Sequence, residues 1–322
     1  MGTPDIEPLT DLRALERRGS PVHLAIGMFD GVHLGHRAVV DAALSGARRD
    51  GGRAVVLTFN PHPSRLFKPD DPTLMIQPTA WKRRLLMDLG IDAVVEQVFD
   101  RTFAAIEAHA FLPLIFHWVP TLRAVYVGEN FRFGKGRRGD IDQLVETGRK
   151  IGVHVVSAER IRLDGRPVSS TRIREALEAG RMDEVNSCLG YEYFIEDRVK
   201  AGRQLGRTIG FPTVNLSFQP ELRPAYGVYA VRVCRLPERA GRGVPGIANF
   251  GIRPTVESAG EPLLEVHLLD PAFGSRLQAG DKLEVRWEHF VRPEKRFDDL
   301  EALKEQISRD VEQARAFFGL EA

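Results

Sequence analysis

The chain has 322 residues, 43% of them hydrophobic and 28% charged, with 45 Lys and Arg against 44 Asp and Glu for a net charge of +1 at neutral pH. That composition can bury real cores and suits about two domains, and the balanced charge gives no overall case for nucleic acid. Two cysteines, Cys188 and Cys234, without metal-ligand spacing exclude a disulfide framework; no apolar run reaches the roughly 20 residues of a membrane span, and the first residues lack a signal-peptide pattern, so a cytoplasmic protein is expected.

In chain order, Val22 to Ile26 reads as a buried strand, and His36 to Arg49, with Val39, Val40, Ala43, Leu44 and Ala47 at helical spacing, as the helix after it. Between them, Ala25-Ile-Gly-Met-Phe-Asp-Gly-Val-His-Leu-Gly-His36 packs two histidines, an aspartate and three glycines into one turn. The unpaired amides and the dipole at a helix start favour an anion, and Gly31 and Gly35 let backbone approach it. His33 and His36, three apart, can donate to one phosphate. Either histidine alone would serve equally as a surface residue of a glycine-rich turn; the whole string points to phosphate chemistry.

Further strands are expected at Ala54 to Phe59, Ala93 to Val98, Ala124 to Val127 and Val153 to Val156, with helices at Thr79 to Leu89 and Phe103 to His117. The alternation predicts a parallel sheet wrapped by helices from about residue 20 to 186. Leu57-Thr-Phe-Asn-Pro-His-Pro63 and Val127-Gly-Glu-Asn-Phe-Arg-Phe-Gly134 put polar groups at strand C-terminal ends, where open α/β sheets bind ligands. Taken singly, the prolines would also end a strand, and Phe131 and Phe133 would also simply pack. Lys82-Arg83-Arg84 reads as a solvated helix face in preference to an anion site. Gly134-Lys-Gly-Arg-Arg-Gly139 matches GxGxxG, with Glu159 beyond it, but the strand stops near Gly128. Without a tight turn directly after a strand the dinucleotide reading fails, and a basic loop remains. Val168-Ser-Ser-Thr-Arg-Ile-Arg174 reads as the hydroxyl-rich start of a short helix that stops at Gly180. Such a start can hold phosphate oxygens, or be an ordinary cap with surface arginines.

Beyond Gly190 the runs become short and β-rich: Tyr193 to Ile195, Gly227 to Val233, Leu263 to Leu269 and Lys282 to Trp287, broken by Gly and Pro. A small antiparallel barrel is the economical solution. The helix Asp298 to Phe318 should dock on it through Leu300, Leu303, Ile307, Val311, Ala314 and Phe317 or Phe318. The loop Ala201 to Gly210 runs into Pro212-Thr-Val-Asn215, and no GxxxxGK[ST] occurs, so a kinase here would not be of the P-loop kind.

GxFDGxHxGH resembles the H-x-G-H signature of the nucleotidyltransferase superfamily, and in this form it is similar to the adenylyltransferase half of the bacterial bifunctional riboflavin kinase/FAD synthetases. Ser169-Ser-Thr171 with Arg174 is similar to that family's ISSTxxR motif, and Pro212-Thr-Val-Asn215 resembles its PTAN motif. The resemblance implies an α/β protein: a Rossmann-like nucleotidyltransferase sheet in residues 1–186, then a small antiparallel β-barrel with a terminal helix in 187–322. It implies that the barrel makes FMN from riboflavin and ATP, and that the first domain joins FMN to AMP with loss of pyrophosphate. His33, His36, Arg174 and the base Glu265 would be catalytic. Gly27, Phe29, Asp30, Gly31, Gly35, Asn60, His62, Pro63, Asn130, Ser169, Ser170 and Thr171 would line the first site. Gly202, Gly206, Arg207, Gly210, Arg292, Glu294 and Phe297 would line the second. Thr213 and Asn215, hard oxygen donors on one face of a strand, would bind Mg²⁺ with the ATP phosphates. The partners implied are riboflavin, FMN and ATP, with no nucleic acid or membrane, and a homo-oligomer is left open. On the residues alone, Glu265 could equally be a solvent-facing strand carboxylate, and Arg292, Glu294 and Phe297 a charged loop before the last helix. Two departures, Asp197 ahead of Arg198-Val199 and the short Pro271-Ala-Phe-Gly274 loop, keep open a monofunctional adenylyltransferase with an inactive flavin-binding barrel. A non-catalytic flavin sensor would not need His33, His36, Thr213 and Asn215 together.

Overall fold

Five strands, β1 (Val22–Ile26), β2 (Arg53–Asn60), β3 (Ala93–Val98), β4 (Leu122–Gly128) and β5 (His154–Ala158), form an all-parallel sheet in the order β3-β2-β1-β4-β5. They belong to a computed structural model that describes residues 9–15, 19–200, 210–238, 241–252 and 262–321, and the chain divides into two units, residues 3–170 and 171–322. In the first unit β1 is buried at every position, as a central strand covered on both faces must be. One face packs Leu24, Ile26, Val55, Leu57 and Val125 against α5 (Ala108–Trp118) and α6 (Ile141–Ile151). The other packs Ala25, Val56 and Tyr126 against α1 (Leu34–Asp50) and α3 (Thr79–Asp88). The strand order runs from β1 outward to β3 and then restarts at β4 beside β1. The loop leaving β1 therefore opens at the switch point of the sheet, where a crevice forms.

The helix expected from Phe103 to His117 is two helices, α4 (Arg101–Ala104) and α5, which follow the short α2 (Ser64–Phe67). The break has a cause: the Ile106 carbonyl accepts the Lys135 backbone N–H at 2.7 Å instead of continuing a helical ladder. A small hairpin, β6 (Arg162–Leu163) and β7 (Arg166–Pro167), precedes α7 (Ser170–Glu178).

In the second unit α7 leads to α8 (Met182–Leu189) and then to a closed antiparallel barrel. Its strands are β8 (Tyr193–Lys200), β9 (Thr213–Leu216), β10 (Gly227–Arg235), β11 (Val244–Ile252), β12 (Pro262–Leu268) and β13 (Lys282–Pro293), in the order β10-β11-β12-β9-β8-β13. Trp287, Tyr229, Tyr193 and Phe250 fill the interior, with the Tyr229 and Trp287 rings 4.4 Å apart. Burial pushes the Tyr229 phenol well above its ordinary pKa, and its hydroxyl donates to the Ala225 carbonyl. After the single turn α9 (Pro271–Gly274), α10 (Leu300–Phe318) lays Val311, Ala314 and Phe318 on Val228, Ala230 and Ile247. The apolar stripe is shorter than expected. Leu300 at the first turn and Phe317 are 48% and 44% exposed, and Phe318 is the phenylalanine that packs.

Candidate active sites

The β1–α1 loop is wound into an unusual shape. Phe29, Gly31 and Val32 have φ of 52°, 81° and 38°, and a β-branched residue in that region is held there only by its surroundings. The holding groups are visible. The Asp30 carboxylate accepts the Ile76 N–H at 3.1 and 3.3 Å, the Asp30 carbonyl accepts the Ser170 hydroxyl at 3.0 Å, and the Phe29 and Val32 side chains are buried. His33 then caps α1, its Nδ1 accepting the His36 N–H at 3.3 Å. With Nδ1 an acceptor, the neutral ring carries its proton on Nε2, which makes that atom a donor. The His33 and His36 rings stack with centroids 3.6 Å apart, so the two imidazoles act as one patch. A Cβ at Gly35 would stand 3.2 Å from the His33 ring, and one at Gly27 3.2 Å from the Phe29 ring.

The neighbouring loops carry the other expected residues. The Asn60 amide donates to Glu96 at 3.5 Å, and Glu96 pairs with Arg83 at 3.1 Å. His62 Nδ1 lies 2.8 Å from the Ser64 hydroxyl, Pro63 stands at the N-cap position of α2, and Asn130 is exposed in the turn after β4. Phe133 belongs to the core, as the simpler reading of it allowed, with Phe131 half-buried against it. Gly134 follows six residues after the end of β4, and Lys135 in that loop pairs with Glu107 at 3.0 Å. At the start of α7, Ser169 and Ser170 are half-buried and Thr171 is exposed; Arg174 is half-buried one turn on, while Arg172 is buried against Glu184 at 2.6 Å.

Two features were not anticipated. Lys82 to Arg84 is not a solvated face: Lys82 is 2% exposed, its ammonium turned inward to the Met28 carbonyl at 3.3 Å and Thr58 Oγ1 at 3.0 Å. Burial pulls its pKa below the ordinary lysine value, against the opposing pull of Glu96 and Asp30. The rings of Phe59, Phe67, Phe99 and Phe103 also form a cluster with centroids 5.4–6.0 Å apart, open to solvent at Phe67. No spacing in the sequence relates these four, because they come from separate elements.

In the second unit Gly202, Gly206 and Arg207 lie outside the described residues, and Gly210 has a φ of 90°. Strand register brings the expected residues of the second site together. Asn215 on β9 stands opposite Glu265 on β12, which stands opposite Asn249 on β11; one step along, Thr213 faces His267. Directly opposed residues have Cβ atoms about 5 Å apart and share a face. Leu264 and Val266 alternate inward, so this polar row lies on the outer face of the barrel. Asn215 is buried, and its Oδ1 finds no hydrogen-bond donor among the described residues. The Arg292 guanidinium is drawn to Asp310 of α10, with bonds of 2.6–3.0 Å, and lies 5.8 Å from the centre of the Phe297 ring. The Glu294 carboxylate occupies the space over Gly251 that a Cβ would need. Asp197 turns its carboxylate back onto the Arg198 N–H at 2.7 Å, and Asp270 caps α9. Among the described residues no group of three or more His, Cys, Asp or Glu could hold a metal ion.

A parallel sheet presenting paired histidines at its switch point, followed by a closed barrel with a polar outer row, is an arrangement suited to phosphate transfer at two places. The family described as FAD synthetase matches residues 16–172, and the one described as riboflavin kinase matches 189–318. The bifunctional riboflavin kinase/FMN adenylyltransferase of Escherichia coli (strain K12) is 39% identical over 92% of this chain and 93% of its own length. That of Haemophilus influenzae is 37% identical over 92% and 94%. A solved structure from Streptococcus pneumoniae, described as a macrolide-efflux protein, superposes with a TM-score of 0.84 at 27% identity, covering 96% of this chain and 98% of that one. Among the described residues no helix is long and apolar enough to cross a membrane. The chain belongs to the bifunctional riboflavin kinase/FMN adenylyltransferase family. It is an enzyme of two activities: the C-terminal half phosphorylates riboflavin with ATP, and the N-terminal half adenylylates FMN with ATP to give FAD.

Proposed function

We propose that the stacked His33 and His36 pair carries adenylyl transfer and that the Asn215–Glu265 row carries the kinase step. The observation that supports the first assignment most is the cap that seats His33 at the start of α1 with Nδ1 as acceptor, so that its proton is on Nε2. An FMN phosphate oxygen attacks the α-phosphorus of ATP, the bond to the bridging oxygen breaks, and pyrophosphate leaves. The attacking oxygen is already ionised, so no base is required. Positioning and charge neutralisation then supply the rate. His33 and His36 donate to the phosphate where charge builds, Ser169, Ser170 and Thr171 take triphosphate oxygens, and Arg174 meets the leaving pyrophosphate. Gly27, Phe29, Asp30, Gly31 and Gly35 shape the nucleotide loop, and Asn60, His62, Pro63 and Asn130 line the nucleotide and FMN pocket. The half-open cluster of Phe59, Phe67, Phe99 and Phe103 is an apt platform for a flat flavin ring.

In the kinase step the primary hydroxyl of riboflavin attacks the γ-phosphorus, its proton passes to Glu265, and ADP leaves. Thr213 and Asn215 fit a hard cation, since the Asn215 carbonyl oxygen is buried without a donor among the described residues. They would hold Mg²⁺, which would neutralise charge on the ATP phosphates. Gly210, with Gly202, Gly206 and Arg207, would cover those phosphates, and Arg292, Glu294 and Phe297 would border the flavin. Residues 1–186 are assigned to adenylyl transfer and 187–322 to the kinase, a border supported by family matches that end at 172 and resume at 189. A cytoplasmic setting suits ATP as co-substrate and the two buried cysteines, and the near-zero net charge gives no support for a nucleic-acid partner beside riboflavin, FMN and ATP.

The test is a chromatographic time course of the purified protein with riboflavin, ATP and Mg²⁺. Wild type should show FMN and then FAD, and His33→Ala should stop at FMN. Loss of both products together in a folded His33→Ala protein would refute separate sites.

A further inference from the structure

Lys82 is a buried, charged side chain of the first unit that adenylyl transfer by His33 and His36 does not use. An unshielded ammonium in a protein interior is costly, and an apolar side chain of the same length would fill the space without that cost. Its hydrogen bonds say what it does instead. The Thr58 hydroxyl donates to the Met28 carbonyl at 3.0 Å, so the Thr58 oxygen is the acceptor for Lys82 at 3.0 Å, and Lys82 also donates to Met28 at 3.3 Å. Both bonds converge on the carbonyl immediately before Phe29, where the backbone enters its left-handed run to Val32. Glu96 on β3 and Asp30 in the same loop are the carboxylates whose charge favours the ammonium, and Arg83 opposes it.

We propose that Lys82 is a positioning residue for adenylyl transfer: it clamps the Met28 carbonyl, so that the Phe29–Val32 turn delivers His33 in its capping geometry, and it sets a positive charge beneath the phosphate loop. This rests on the assignment of that step to His33. Lys82→Met keeps the length and removes both donors and charge; Thr58→Val keeps the charge and removes the acceptor. Full-length variants are assayed for FMN formation and for adenylylation of supplied FMN, with ATP-binding stoichiometry measured by calorimetry.

Lys82→Met should leave FMN formation within about twofold of wild type and lower kcat for adenylylation about 100-fold, the scale of removing one preorganised electrostatic group. KM for ATP should move less than about threefold, because the loss is in the transition state. Thr58→Val should lower the same kcat about tenfold, as a smaller displacement of the loop would. A kcat in Lys82→Met within about threefold of wild type, or a loss matched by the fraction of protein that no longer binds ATP, overturns the proposal. If Lys82→Met does not fold, Thr58→Val decides, and an unchanged kcat there overturns it. His33→Ala run in parallel separates the two claims. An active His33→Ala refutes the assignment beneath the proposal, whereas an inactive one beside a normal Lys82→Met refutes the proposal alone.

Discussion

Asp310→Ala should disable the kinase half selectively, through stability. Asp310 lies on α10 with 2% of its surface exposed, and its carboxylate accepts bonds of 2.9, 3.0 and 2.6 Å from Arg292 and one of 2.8 Å from Gln306. Removing it leaves the Arg292 guanidinium without its counter-charge, and breaking a buried pair from one side costs about 3–5 kcal/mol. The Arg292 side chain keeps 20% exposure, so water softens the loss and the low end applies, about 3 kcal/mol. For a unit of this size that corresponds to a fall of about 6–12 °C in its unfolding temperature. Asp310→Asn retains a carbonyl acceptor and should lose roughly half as much. The assay is residual activity after graded heating, read separately as riboflavin kinase and as adenylylation of supplied FMN. The kinase curve should shift down and the adenylyltransferase curve should stay in place. An unshifted kinase curve, or two curves moving together, would refute the reasoning that this clamp is a local tie between α10 and β13.

Asn215→Ala should stop FMN formation while supplied FMN is still converted to FAD; a kinase rate unchanged over a Mg²⁺ titration would remove Asn215 from the proposed cation site. Gly35→Ala places a Cβ 3.2 Å from the His33 ring, and the shift this forces should cost about tenfold in FAD formation with FMN formation intact. An undiminished FAD rate would mean that the ring has room to move. Arg181 first, and then Arg172, hold the Glu184 carboxyl below its ordinary pKa of 4.5. A depressed carboxylate stabilises fully above that value and loses its contribution as the pH falls through the folded pKa beneath it. The gap in melting temperature between wild type and Glu184→Gln should therefore be widest at neutral pH and close in acid; a gap independent of pH would contradict the ion-pair account.

Much of this protein is legible in one dimension because its signals are local. A strand buried on both faces must be an apolar run, so Val22 to Ile26 is readable end to end, and a helix start needs caps and small residues, so the histidine string and the Ser169 to Thr171 start announce themselves. The barrel is legible as a class from its short alternating runs, and the strand that carries Thr213 and Asn215 with it, although nothing local marks β11 as a strand. The break between α4 and α5 was hidden, because the group that takes the Ile106 carbonyl comes from a loop almost thirty residues later.

The sequence alone determined the chemistry on offer: which residues can meet a phosphate, in what order, and on strand ends or helix starts, all of which depend on neighbours within a few residues. Only the tertiary structure decided which groups meet. It turned Lys82 out of an apparently solvated basic run and under the Met28 carbonyl, gathered four phenylalanines from separate elements, and drew Arg292 to Asp310. It also set Asn215, Glu265 and Asn249 in one row through the register of three strands. Each of these rests on a long-range pairing, whose partner is chosen by packing and by the hydrogen-bond needs of buried groups, and no local pattern carries that choice.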